Sequence, residues 1–121
     1  MMKTNWTHWL LLLACNFSFP NGAYTHAVVT KHSLNIAPVQ SGKTSTIELM
    51  FNSNIELGLS KFYLVKADDK HESLTFTAGN KPGQVVIQLP DLEPGKYALR
   101  FKIFATDGHL SEDLIRFTVT P

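Results

Sequence analysis

Cysteine occurs once in 121 residues, at position 15, and never after it. A single cysteine cannot close an intramolecular disulfide, and nothing downstream of it can form a thiolate metal site. Methionine is almost as scarce. Met1 and Met2 open the chain and Met50 is the only other one, so a methionine-rich site for a soft metal has no material. An excess of positive charge is missing too: eleven Lys and Arg stand against ten Asp and Glu. Without Lys3 the balance is ten against ten, and no basic stripe is visible along the sequence. On that reading nucleic acid and an anionic membrane are set aside as partners. No apolar run reaches the ~20 residues that a membrane-spanning helix requires. No segment carries the periodicity of a convincing amphipathic helix.

What is present begins with an export signal. Lys3 precedes the apolar run Trp9-Leu10-Leu11-Leu12-Leu13-Ala14-Cys15. Pro20, Asn21 and Gly22 follow, and then Ala23 and Thr25, small residues flanking Tyr24. A basic start, a short apolar core and a small-residue exit describe a secretory signal peptide. Ala23 and Thr25 sit at the two recognition positions for cleavage after Thr25, which assigns residues 1–25 to the signal and makes His26 the first mature residue. Cleavage after Ala27 and lipidation at Cys15 are the competing possibilities. A mature domain spanning 26–121 has no disulfide to stabilise it and must rely on packing.

The rest reads as strands. Six runs alternate or are rich in β-formers: 46–51, 61–66, 73–77, 85–89, 96–106 and 115–119, with a weaker edge strand at 27–36. Between them lie the turn signals Ser41-Gly42-Lys43, Ala67-Asp68-Asp69-Lys70, Gly79-Asn80-Lys81-Pro82-Gly83 and Glu93-Pro94-Gly95. About seven short strands at this spacing predict an all-β, immunoglobulin-like Greek-key sandwich or barrel. In the long strand, Tyr97, Leu99, Phe101 and Ile103 share the core face. Residues 54–60 have room for a single helical turn. Such a fold hosts many functions, so function has to come from a site.

Four histidines follow the signal: His26, His32, His71 and His109. An N-terminal histidine differs chemically from an internal one, because its α-amine and ring nitrogen can close a chelate on one ion. His109 ends Asp107-Gly108-His109, just after the long strand. A second imidazole opposite the amine chelate gives three nitrogens, and Asp107 can add a carboxylate oxygen. Three nitrogens and one oxygen in a plane favour Cu(II). By itself Asp-Gly-His is a weak signal, since Asp-Gly is a common turn. His32 has the same strand parity as His26 and reads as a surface residue or a nearby helper. His71 follows a polar turn and reads as exposed.

This order of features resembles the CopC-type copper-binding proteins of the bacterial periplasm. The resemblance rests on the signal ending before His26, Pro38, the strand end Leu49-Met50-Phe51, and above all the C-terminal stretch. That stretch runs from Leu92-Glu93-Pro94-Gly95-Lys96-Tyr97 through Arg100 to Asp107-Gly108-His109 and closes with Phe117-Thr118-Val119. The resemblance implies one Cu(II) held by His26, Asp107 and His109. It also implies a role in copper storage, delivery or tolerance, with a CopD-type inner-membrane protein as a partner and no catalysis; a monomer is expected. The chain departs from the family pattern at Phe51-Asn52-Ser53, where Phe-Ser-Glu is usual. Phe101 stands where tryptophan is common, and Leu110-Ser111-Glu112-Asp113 replaces a usual Pro and Gly. Two rival readings come from other classes. One is a copper monooxygenase, which also uses an N-terminal histidine chelate; the other is a metal-free secreted interaction domain.

Overall fold

The computed structural model describes residues 27–121. The predicted N-terminal ligand, His26, and the signal segment lie outside the described residues. The described residues form nine strands: β1 (Val29–His32), β2 (Val39–Gln40), β3 (Ser45–Phe51), β4 (Lys61–Val65), β5 (His71–Ser73), β6 (Phe76–Ala78), β7 (Gln84–Leu89), β8 (Gly95–Phe104) and β9 (Leu110–Thr120). They make a four-stranded sheet, ordered β1-β3-β7-β6, and a five-stranded sheet, ordered β2-β9-β8-β4-β5. All neighbours are antiparallel except β2, which runs parallel to β9.

The period-two pattern explains why the sheets face each other. Ile47, Leu49 and Phe51 of β3 and Val85, Ile87 and Leu89 of β7 point inward from one sheet. Phe62 and Leu64 of β4 and Leu99, Phe101 and Ile103 of β8 point inward from the other. All are nearly inaccessible to solvent. Three phenylalanines meet in the middle: the Phe51 ring lies edge-on to Phe101 at 5.8 Å, and Phe101 lies 5.9 Å from Phe62. Truncating one of these rings to alanine removes about 3–5 kcal/mol, because the cavity collapses only partly.

The predicted sandwich is correct, while the strand count rises from about seven to nine. The single run expected at 73–77 is two strands in different sheets, broken at Leu74–Thr75 as the chain crosses over the core. Leu74 is buried there, and its N–H donates to Phe62 O. His71 is therefore the exposed first residue of β5 rather than part of a turn. The two-residue β2 was not anticipated, because two residues show no alternation. The last strand starts at Leu110, five residues earlier than its apolar pattern suggests, since its first four residues pair with β8 while facing solvent or a groove. The expected helical turn is a 3-10 turn at Leu57–Leu59.

Candidate metal centre

Asp107 and His109 sit in the tight turn joining β8 to β9. Ala105 N–H donates to His109 O (2.9 Å), and Gly108 N–H donates to Ala105 O (2.9 Å). Gly108 has φ +92°, a region that side-chain-bearing residues rarely enter. That conformation bends the chain back so that Asp107 and His109 face each other. The His109 backbone N–H donates to Asp107 Oδ1 at 3.1 Å, and His109 Nδ1 lies 3.3 Å from the same oxygen. The latter contact is an ion pair when the imidazole is protonated. Two adjacent donors on one ion, each about 2.0–2.1 Å from it, stand about 2.9 Å apart. The turn thus offers a carboxylate and an imidazole close to the spacing of neighbouring ligands. Both side chains are about half exposed, at 44% for Asp107 and 52% for His109.

The His109 backbone N–H holds the Asp107 carboxyl below the usual carboxylate range; desolvation opposes this, and the His109 side chain adds to the lowering. Asp107 is therefore a permanent anion at neutral pH, as a ligand for a cation must be.

The segment after β3 ties this turn to the start of the domain. Val28 N–H donates to Asn52 Oδ1 (2.9 Å), and Asn52 N–H donates back to Val28 O (3.0 Å). Two residues later, Asn54 O accepts from Thr106 N–H at 3.1 Å. Asn52 and Asn54 therefore hold, respectively, the chain two positions after His26 and the residue just before Asp107. Behind them, buried Ser60 donates its hydroxyl to Glu56 O (2.8 Å) and accepts Phe104 N–H (3.0 Å). Glu56 N–H bonds to Phe104 O (2.8 Å), and Ile55 bridges to Ala105. These contacts fix the end of β8 on which the turn stands.

Ala27 and Val28 also share a groove of about 360 Å³ with Leu110, Ser111 and Glu112. The sequence neighbours of His26 and His109 thus line one cleft. Among the described residues, no group of three or more His, Cys, Asp or Glu gathers as a metal site. Asp107 and His109 are two donors, and any further donor has to come from elsewhere.

The other histidines lie apart. A β-bulge lies between Val29 and Lys31, and His32 pairs with Leu49 at the opposite end of β1 from Val28. His71 pairs with Val65, which in turn faces Ala98, six residues back along β8 from Phe104. At about 3.3 Å per residue that is roughly 20 Å from the turn. His71 Nε2 lies 3.6 Å from Asp69 Oδ1 instead. Sequence reasoning missed Ser60 entirely and treated Asn52 only as a departure. An asparagine and a serine in a loop carry no pattern, and only the pairing of distant segments reveals them.

The Glu93-Pro94-Gly95-Lys96-Tyr97 stretch has a structural role, because Tyr97 hydroxyl donates to Glu93 O (2.8 Å) and its ring stacks on Phe117 at 5.9 Å. It pins the start of β8, while Asp107 and His109 follow its end.

Comparison with known proteins agrees with this architecture. No curated protein matches the chain in sequence. Among solved structures, CopC from Methylosinus trichosporium OB3b superposes with a TM-score of 0.63 at 24% identity, covering 79% of this chain and 95% of that one. PcoC, a methionine-rich copper resistance protein from Escherichia coli, gives 0.59 at 19% identity, covering 78% and 99%. At these identities the likeness carries the fold alone. The CopC domain family model matches residues 29–120, from the first strand to the last, and the chain therefore belongs to the CopC family.

Proposed function

We propose that the chain is a periplasmic Cu(II)-binding protein of copper storage, delivery or tolerance, and that it binds rather than catalyses. The ligands are the α-amine and imidazole of His26, the carboxylate of Asp107 and the imidazole of His109. The observation that carries this reading is the 52–54 segment, which hydrogen-bonds to both Val28 and Thr106 and so tethers two ligand-bearing segments 80 residues apart in sequence. The Asp107–His109 pair supports it from the other side, with two donor atoms 3.3 Å apart on a fixed turn. Nitrogen and carboxylate donors suit Cu(II). The family and the copper-resistance relative make copper the cargo to expect.

The proposed domain begins at His26, after a signal peptide of residues 1–25. Ala27 is 5% exposed and part of the core cluster. A cut after Ala27 would discard that buried side chain, whereas a cut after Thr25 keeps it. Among the described residues no helix is long and apolar enough to cross a membrane. A CopD-type membrane protein is the proposed recipient or donor of the metal. PcoC is described as methionine-rich, but this chain has only Met50 beyond its first two residues. Cu(I) is accordingly expected to bind weakly.

The test is Cu(II) affinity, measured by competition titration, of the processed protein and of a version with one extra residue before His26. The extension blocks the amine chelate and should weaken binding by at least about a hundredfold. Equal affinities would remove the N-terminal ligand from the site. An intact mass of the exported protein showing a start at Val28, or a lipid on Cys15, would do the same.

A further inference from the structure

The balanced charge of the sequence conceals a segregated surface. Residues opposite one another in an antiparallel pair share a face, so the register assigns the outer face of the five-stranded sheet directly. Lys61 faces Lys102, Tyr63 faces Arg100, Ala98 faces Arg116, and Lys96 faces Thr118. Five cations, Lys61, Lys96, Arg100, Lys102 and Arg116, thus stand on one side of three adjacent strands. The one acid among them is Glu112, opposite Lys102 and 3.3 Å from Arg100. Among the described residues no ion pair engages Lys61, Lys96, Lys102 or Arg116. The outer face of the other sheet is different: Lys31 and Glu48 offset each other beside neutral Met50, Val86 and Gln88.

Two details make the basic face more than an accident of composition. Lys61 and Lys102 are direct cross-strand partners, an arrangement of like charges that weakens a sheet unless an anion lies over it. Ala98 stands between long side chains and leaves a shallow depression of about 340 Å³, edged by Lys96 and Arg116 and by Lys66, whose ammonium already lies 3.5 Å from Glu72. Its size and its charged rim suit one phosphodiester headgroup.

We propose that this face docks the protein on an anionic phospholipid bilayer. A bilayer matches what the sheet offers. The face is broad, the β8 cations Lys96, Arg100 and Lys102 stand about 13 Å and about 7 Å apart, and mobile lipid anions can move to meet that spacing. A protein partner would instead need fixed acids in register. The ends of β8 and β9 that carry Lys102 and Glu112 lead into the Asp107–His109 turn, which therefore sits at the rim of the docked face, open to exchange. The proposal is independent of the metal assignment, and its test uses metal-free protein.

The experiment is co-sedimentation of the full processed chain with vesicles of phosphatidylcholine alone or mixed with phosphatidylglycerol, at low and high salt. Binding is expected only to the anionic vesicles and should vanish at high salt. A variant with Lys61→Gln, Lys96→Gln, Lys102→Gln and Arg116→Gln should lose about fivefold for each cation removed. A control with Lys31→Gln, Lys43→Gln, Lys70→Gln and Lys81→Gln changes net charge equally and should lose far less. Thermal melts check folding, and the double variant Lys61→Gln/Lys102→Gln, which relieves a like-charge pair, serves if the quadruple does not fold. Equal losses in the two quadruple variants would overturn the proposal, as would binding to neutral vesicles or failure to bind anionic ones. Capture of polyglutamate by this face without vesicle binding would assign it to an acidic protein.

Discussion

Asp107 and His109 should differ in what their loss costs. His109→Ala removes an imidazole and also the group facing the Asp107 carboxylate, so Cu(II) affinity should fall by at least about a hundredfold, more than the 10–100-fold typical of outer partners. Asp107→Asn keeps a hydrogen-bond acceptor for the His109 backbone N–H but loses the charge, so a smaller drop is expected. His71→Ala should leave affinity unchanged, and His32→Ala should change it only slightly. Titrating the four variants, with melts of the metal-free forms, checks this ranking; binding abolished in His71→Ala but kept in His109→Ala would refute it. Acid sensitivity follows from the same pair. The Asp107 carboxyl is held below its usual range, so its negative charge is present throughout the neutral region and is lost only as pH falls through that lowered value. Cu(II) affinity should also fall on acidification, because protons compete with the metal for its nitrogen ligands. Asp107→Asn should lower Cu(II) affinity at neutral pH, where the carboxylate is charged, and an unchanged affinity would contradict the assignment.

Elements hold the two residues in place, and their failure should look different from loss of a ligand. Gly108 has open space around its α-carbon but φ +92°. Gly108→Ala therefore meets backbone strain rather than a clash, costing about 1 kcal/mol and opening the turn. Gly108→Asn, which tolerates the left-handed region better, should recover much of the lost affinity. Ser60→Ala leaves the Phe104 N–H at the end of β8 without its acceptor, which costs about 1–3 kcal/mol for a buried donor. Its signature is a lowered melting temperature in metal-free protein with a secondary loss of affinity. Asn52→Ala should do the reverse. The bond to Val28 is exposed, so stability should barely change while Cu(II) affinity drops about tenfold as the N-terminal segment loosens. A melting temperature that falls with no change in affinity would make Asn52 merely structural.

Across the whole molecule, stability rests on the inward faces of both sheets, apart from the Asp107–His109 turn and the outer basic face. The apolar alternates of β3, β4, β7 and β8 stabilise the fold, and none of the metal-ligand or sheet-face substitutions touches them. Copper binding, docking and stability should therefore vary independently. Cu(II) should raise the melting temperature in proportion to the logarithm of its concentration above Kd, and Cu(I) should raise it little. An equal rise with Cu(I) would point to sulfur from Met50 and against the nitrogen-and-carboxylate set.

The sequence by itself determined the β-sandwich, because strands buried on one face write their alternation directly into residue order, as at Tyr97, Leu99, Phe101 and Ile103. It also singled out Asp107 and His109, because two donors flanking a glycine lie only two residues apart and form their geometry locally. Tertiary structure decided what depends on distant segments meeting. It split 73–77 between two sheets, and it put a bulge into β1 between Val29 and Lys31 that residue order does not show. Asn52 and Ser60 became supports of the Asp107–His109 turn through hydrogen bonds to Val28 and Phe104, 24 and 44 positions away. Tertiary structure also bears on the reading that no basic stripe is visible and that an anionic membrane is set aside. Ten cations scattered among ten acids have no visible stripe along a chain, but cross-strand register gathers Lys61, Lys96, Arg100, Lys102 and Arg116 onto one face, because register is set between strands rather than along them.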